Sequence, residues 1–123
     1  MNLLDSSAWI ETLVRGPRHA EFEPLLGDPK RVLVPAVVVY EVSKWAQRVG
    51  GHAAAWAVTQ LFQDCQLVPL EPHLAQSAAE ISIQHRLAMA DSMILATARA
   101  HQATIWTMDA DLQSFPGVEY RPR

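Results

Sequence analysis

Short apolar runs alternate with longer helical stretches along the whole chain, and this alternation constrains the fold more than any other feature. Runs at residues 1–4, 31–34, 67–70 and 104–107 have the length and composition of buried strands, and residues 118–120 form a candidate edge strand. Parallel strands need crossover connections, which are usually helices. We therefore predict an α/β protein with three α/β/α layers and a central, mostly parallel sheet.

Turn residues and prolines mark the ends of the helical stretches. Pro35 and Pro72 each fit the first turn of a helix, where the missing N–H costs nothing. The helix after the first strand is expected to end near Gly16, and the other predicted helices cover residues 19–26, 35–50, 53–64, 72–86 and 90–101. No repeat or linker interrupts this order, so we expect one domain over residues 1–123.

Composition narrows the class of protein. Half of the residues are hydrophobic and 19% are charged, which is ordinary globular composition. The single cysteine, Cys65, cannot form an internal disulfide. No apolar segment is long enough for a membrane span, and none follows a basic leader. We expect a cytoplasmic protein with Cys65 buried. Because the net charge is -3, any contact with a nucleic acid must be local.

Two aspartates follow strands that a parallel sheet would place side by side. Asp5 ends the first strand, and Asp109 lies two residues after the strand that ends at Thr107. Ligands of open parallel sheets bind outside the carboxyl ends of the strands. Both carboxylates are therefore expected at the edge of the sheet where a binding site belongs.

Two further acids fall within apolar helix faces. Glu41 shares the i, i+3, i+4, i+7 spacing of a buried stripe that starts at Val38, and Asp91 shares such a stripe with Ile94. No lysine or arginine lies in either stripe, and a buried carboxylate needs a cation. Oxygen ligands without Cys or His favour Mg²⁺ or Mn²⁺ over zinc.

Each acid also has a simpler interpretation. Asp5 and Asp91 stand close to helix starts, where aspartate is a favoured N-cap. Asp109 and Asp111 are ordinary turn residues, and Glu41 is a surface residue if the helix register is shifted. The tryptophans are predicted to lie in the core, although they could also stack on bases; they are Trp9, Trp45, Trp56 and Trp106.

Four segments resemble the PIN-domain ribonucleases, and within them the VapC-type toxins of bacterial toxin–antitoxin pairs. They are Leu-Asp-Ser-Ser-Ala-Trp-Ile from Leu4, Val-Pro-Ala-Val-Val-Val-Tyr-Glu-Val from Val34, Ala-Asp-Ser-Met-Ile-Leu-Ala-Thr-Ala from Ala90 and Thr-Met-Asp-Ala-Asp from Thr107. The resemblance assigns the catalytic acids of the family to Asp5, Glu41, Asp91 and Asp109, of which Asp5, Asp91 and Asp109 are the expected metal ligands. It assigns supporting roles to Ser7, Thr107 and Asp111.

The resemblance implies an endoribonuclease that uses Mg²⁺ or Mn²⁺ to activate water and leaves 5′-phosphate and 3′-hydroxyl ends. It also implies a homodimer and a cognate antitoxin that covers the acidic pocket, inserting an arginine among the carboxylates. From their positions, Arg15 and Arg86 are the favoured RNA-phosphate contacts among the basic residues.

Two alternatives stay open at this stage. The first is a non-catalytic interaction or RNA-binding module of the same fold, whose acids are only caps. The second is a phosphotransfer domain with Asp5 as nucleophile. Phosphatases of that kind carry a second aspartate two residues after the first, and Ser7 occupies that position here.

Overall fold

A single five-stranded sheet forms the centre of the computed structural model, which describes residues 1–123. The strands are β1 (Asn2–Leu4), β2 (Val32–Pro35), β3 (Gln66–Val68), β4 (Thr104–Thr107) and β5 (Val118–Tyr120). Their order is β3-β2-β1-β4-β5, and every neighbouring pair is parallel. The predicted α/β/α class is confirmed, and the sheet is wholly parallel. The predicted edge strand is β5.

Five helices connect the strands. They are α1 (Ser6–Leu13), α2 (His19–Phe22), α3 (Ala36–Gln63), α4 (Pro72–His85) and α5 (Met89–His101). The two helices predicted on either side of residues 50 and 51 form one element with a sharp kink at Gly51, whose backbone has φ 72° and ψ -165°. Residues other than glycine essentially never adopt this backbone conformation, which explains why a glycine occupies position 51. None of the helices is long and apolar enough to cross a membrane.

The prediction of one helix over residues 19–26 was wrong. The α-helix ends at Phe22, and residues Glu23–Gly27 continue as a 3₁₀ turn. Pro24 explains the difference, because it has no N–H to donate to the carbonyl of Ala20 and its ring would clash there.

The core lies on both faces of β1 and β2. Leu3 and Leu4 of β1 and the Val32–Val34 run of β2 are at most 1% exposed, as expected for strands covered by helices on both sides. Trp9 of α1 is also buried and packs edge-to-face on Phe62, with ring centroids 4.9 Å apart. Cys65 is only half-buried, so the prediction that it is a core residue was too strong.

The core prediction holds in part for the other tryptophans. Trp45 and Trp106 are half-buried and pack against the core, whereas Trp56 is 66% exposed, so its prediction was wrong. Val58 and Phe62 are the buried residues of this part of α3. Trp56 lies two positions before Val58, about 200° around the helix, and therefore faces away from the core.

Candidate metal centre at the carboxyl edge of the sheet

The three central strands end at the same edge of the sheet, and acidic residues follow them there. β1 lies between β2 and β4, and all three strands run in the same direction. Asp5 directly follows β1, and Asp109 follows β4 after one intervening residue. α3, which carries Glu41, begins directly after β2. The strand order also reverses between β1 and β4, which is where open parallel sheets bind ligands.

Asp5 is buried and both of its carboxylate oxygens accept hydrogen bonds. Oδ1 accepts from the Ala8 N–H at 3.1 Å and from the Ser7 hydroxyl at 2.5 Å. Oδ2 accepts from the Thr107 hydroxyl at 2.5 Å. Asp5 is therefore the N-cap of α1, as the simpler interpretation held. Since a carboxylate has about four lone-pair positions, Oδ2 keeps one of them free for a further ligand.

Ser7 and Thr107 connect the start of α1 with the end of β4. Each hydroxyl donates to Asp5 and accepts a backbone N–H, that of Met108 for Ser7 and that of Asp109 for Thr107, both at 2.9 Å. Thr107 is completely buried. The hydroxyl of Thr107 therefore contacts both Asp5 and the backbone of Asp109, and it fixes the position of one acid relative to the other.

Three carboxylates lie close enough together to share a cation. Carboxylate oxygens of Asp91, Asp109 and Asp111 lie within 4.8 Å of one another. We call these three residues the aspartate cluster. The side chain of Asp109 also accepts the N–H of Asp111 at 2.9 Å and caps the 3₁₀ turn Ala110–Leu112, so its turn role is real as well.

Asp91 does not cap its helix. The N-cap of α5 is Ala88, and Asp91 stands in the first helical turn with a buried side chain. Its carboxylate appears in none of the side-chain hydrogen bonds of the molecule and in none of its ion pairs. The capping interpretation of Asp91 was therefore wrong, and the carboxylate of this largely buried residue has no partner within the protein and stays accessible to a ligand from solvent.

Glu41 lies on the half-buried side of α3, close to the same acids. Burial raises its pKa, and the charges of Asp5 and Asp109 raise it further, while the Ser6 side chain acts in the opposite direction. The register of α3 is therefore as predicted, and Glu41 is directed towards the site rather than towards open solvent.

The site holds more negative charge than the protein itself balances. The pKa of Asp91 is raised to about 7, first by burial and then by repulsion from neighbouring carboxylates, in decreasing order Asp109, Asp5, Asp111 and Glu41. Burial also raises the pKa of Asp5, against the effect of its three hydrogen bonds. Every ion pair of the molecule lies elsewhere. Buried carboxylates without a counter-charge are the environment that a bound cation stabilises.

The donor atoms fit a hard divalent ion. The aspartate cluster offers only carboxylate oxygens, which Mg²⁺ and Mn²⁺ prefer, and no Cys or His belongs to it. Asp91 and Asp109 belong both to the ligand set expected from the sequence and to this cluster. Asp111 was expected only in a supporting role. Its carboxylate lies close to that of Asp109 because the two residues are joined by the 3₁₀ turn Ala110–Leu112. Asp5 lies outside the cluster of three, held by its hydrogen bonds.

The two predicted RNA contacts differ in position. Arg15 follows the far end of α1 from Asp5, and its guanidinium lies 3.6 Å from the carboxylate of Glu23. Arg86 ends α4 in a left-handed conformation, exposed and without an ion pair, three residues before α5 begins. The structure therefore places Arg86, and not Arg15, on the connection that leads to Asp91.

Comparison with known proteins identifies the family of this site. The sequence model of the PIN domain matches residues 3–118, nearly the whole chain. The chain belongs to the PIN-domain family. No curated protein matches it with significant sequence similarity. The resemblance drawn from the four sequence segments is therefore confirmed for the family.

Solved structures share the fold of this PIN domain. A toxin–antitoxin complex from Klebsiella pneumoniae is 22% identical with a TM-score of 0.80, over 97% of this chain and 96% of that one. VapC20 of Mycobacterium tuberculosis, described as a toxin that cleaves the sarcin–ricin loop, is 22% identical with a TM-score of 0.81, over 99% and 100%. FitAcB from Neisseria gonorrhoeae is 25% identical with a TM-score of 0.66, over 90% and 89%.

Proposed function

We propose that this PIN domain is a metal-dependent endoribonuclease and the toxin of a toxin–antitoxin pair. The observation that carries the proposal is the carboxylate of Asp91, which belongs to a largely buried residue, has no hydrogen-bond or ion-pair partner in the protein, and lies beside Asp109 and Asp111 at the sheet edge where ligands bind. Similarity to VapC20, described as a toxin that cleaves the sarcin–ricin loop, and to a toxin–antitoxin complex supports the choice of substrate and biological role.

In this proposal Asp91 and Asp109 are the principal metal ligands, Asp111 assists, and Asp5 contributes the free position on Oδ2. A Mg²⁺ or Mn²⁺ ion held by these residues would supply a water of lowered pKa and would stabilise negative charge on the phosphate. Ser7 and Thr107 orient Asp5 by donating to it, and these hydrogen bonds favour its ionised form against the effect of burial. Glu41, with its raised pKa, lies beside the acids and exchanges a proton with the attacking water or the leaving oxygen.

We propose two partners for this site. RNA is the substrate, and an antitoxin segment that inserts an arginine among the carboxylates would replace the metal as counter-charge. Neighbouring structures include complexes of VapBC with DNA from Salmonella typhimurium and Rickettsia felis. On these grounds we propose a cognate antitoxin for this PIN domain, and from the family resemblance we also propose a homodimer in the cytoplasm.

The competing function is a binding module whose acids only cap secondary structure. Asp5 and Asp109 do accept capping hydrogen bonds, which favours this alternative for those two residues. Asp91 caps nothing and pairs with no group of the protein, so a binding module gives no role to its carboxylate, whereas a metal site does. The nuclease is therefore the function that the whole site supports best.

The test is induced expression in a bacterial host, followed by analysis of the cellular RNA. We expect the parent to stop growth and Asp109→Asn to restore it at equal protein level. New RNA ends should carry 5′-phosphate and 3′-hydroxyl groups, which separates this activity from contaminating ribonucleases that leave cyclic phosphates. Growth arrest that persists in an Asp109→Asn protein without cleavage activity would support the binding module instead.

A further inference from the structure

Three exposed residues form a stripe along α3, beside the acidic site. Tyr40, Lys44 and Arg48 are spaced by four residues, and we call them the α3 stripe. The Tyr40 side chain is 63% exposed, and the ammonium of Lys44 lies 5.6 Å from the centre of its ring. A surface depression of about 510 Å³ is lined by the stripe together with Val39, Ser43 and Gln47. The stripe therefore combines an accessible aromatic face with two positive charges.

The two cations of the stripe are free to bind an anion. Neither Lys44 nor Arg48 takes part in any ion pair of the molecule, whereas Arg15, Arg18 and Arg121 are all paired with glutamates. In a protein of net charge -3, RNA must be attracted by local positive charge of this kind.

Other unpaired cations lie elsewhere on the molecule. Lys30 and Arg31 come directly before β2 and thus lie at the amino edge of the sheet, opposite the acids. They lack an aromatic neighbour of the kind that Tyr40 provides to Lys44. Position and the aromatic neighbour therefore distinguish the α3 stripe from Lys30 and Arg31, which carry the same charge.

The stripe starts at the acids and leads away from them. Lys44 and Arg48 follow Glu41 at i+3 and i+7, so they lie on the same side of α3 as this site residue. Arg48 is about 10 Å from Glu41 along the helix axis, at a rise of about 1.5 Å per residue. A strand whose reacting phosphate lies at the aspartate cluster would continue over these positions.

We infer that the α3 stripe binds the RNA strand next to the bond that is cut. Lys44 and Arg48 contact phosphates, and Tyr40 stacks on an unpaired base. Stacking of this kind requires a single-stranded or looped region, because bases inside a helix are not accessible. The inference rests on the proposed ribonuclease function and adds a substrate path and a preference for unpaired RNA to it.

Binding of a labelled single-stranded RNA of mixed sequence, in EDTA to prevent cleavage, tests this path. Loss of two phosphate contacts should lower the slope of log Kd against log salt by about 1.4 in Lys44→Gln/Arg48→Gln, at about 0.7 per contact. Lys30→Gln/Arg31→Gln removes the same charge at the opposite edge and should leave the slope unchanged. Tyr40→Ala should weaken binding about tenfold, while Tyr40→Phe keeps the ring and the affinity.

The outcomes separate this inference from the proposed function. Equal slopes for the two double variants would overturn the assignment of the α3 stripe to RNA binding. Metal-dependent cleavage by the parent would still support the proposed ribonuclease function. A parent that neither binds nor cuts RNA would overturn both. A change of sedimentation coefficient in Lys44→Gln/Arg48→Gln with an unchanged RNA slope would show that the stripe contacts a second protein molecule, and would also overturn the assignment to RNA.

Discussion

The hydroxyl of Thr107 donates a 2.5 Å hydrogen bond to Oδ2 of Asp5, a residue 102 positions earlier in the chain. The same hydroxyl accepts the N–H of Asp109 at 2.9 Å. It therefore joins β1 to β4 at the point where the strand order reverses, and it sets the spacing of two proposed metal ligands.

Replacing Thr107 by valine should uncouple the two acids. The change keeps the shape of the side chain but leaves a buried carboxylate oxygen and a backbone N–H without a partner, at a cost of about 1–3 kcal/mol. Mn²⁺ affinity, measured by isothermal titration calorimetry, should fall with stability. Thr97→Val is the matched control, because the Thr97 hydroxyl binds only the Met93 carbonyl one helical turn before it. Equal loss of Mn²⁺ affinity in both variants would contradict a specific role for Thr107.

Stability without metal should fall as the pH rises to neutrality. Asp91 has its pKa raised from 3.8 to about 7 in the folded protein, so below pH 3.8 its contribution to stability is fully present, and it is lost as the pH rises through about 7. In EDTA we expect the free energy of unfolding to be roughly 2 kcal/mol lower at pH 8 than at pH 5 from this group. Denaturant titrations of the parent and Asp91→Asn check this, and an identical pH dependence of the two would be the contrary result.

Divalent metal should stabilise the parent more than Asp91→Asn. Binding to the folded state alone adds about 2.7 kcal/mol at a hundredfold excess over Kd, which raises Tm. At pH 8 in EDTA, Asp91→Asn should melt above the parent, since it removes a repelling charge, yet gain less from Mn²⁺. Glu80→Gln, at an exposed position of α4, should respond to Mn²⁺ as the parent does. Equal Mn²⁺ responses of parent and Asp91→Asn would remove Asp91 from the site.

Alanine at Gly51 should destabilise the protein by about 1–3 kcal/mol, because the backbone there lies in a region that is essentially restricted to glycine. Gly27→Ala is the control, since Gly27 has no positive φ and a Cβ there meets open space. Chemical denaturation measures both. A Gly51→Ala protein as stable as the parent would mean that α3 does not need its kink.

The sequence predicted the fold well because buried parallel strands and amphipathic helices have different apolar periods. It also located Asp5 and Asp109 at one edge of the sheet, because both residues follow strands that were predicted to be parallel. It could not predict which hydroxyls hold Asp5, since Thr107 reaches it only through the pairing of β1 with β4. The close approach of Asp111 depends on a single 3₁₀ turn, and such local geometry is not encoded in an apolar period.

The interpretation of charged and exposed residues depended most on the structure. Arg15 was a reasonable RNA contact from its position after a helix, but the sequence does not show that it pairs with Glu23. Trp56 was assigned to the core because tryptophan is usually buried, although its position on α3 directs it to solvent. Sequence periodicity assigns a face, and only the packed structure shows whether another element covers it.

The most direct test of the central claim is single-turnover cleavage of a labelled RNA by the parent, Asp91→Asn, Asp109→Asn and Glu80→Gln, with Mn²⁺ and with EDTA. Each asparagine variant removes one proposed ligand charge at constant volume, while Glu80→Gln removes an exposed charge away from the site. The account predicts Mn²⁺-dependent cleavage by the parent and Glu80→Gln, none in EDTA, and a loss of at least about a hundredfold in both asparagine variants, whose circular dichroism stays that of the parent. Full cleavage by Asp91→Asn and Asp109→Asn, or cleavage by the parent that persists in EDTA, would contradict it.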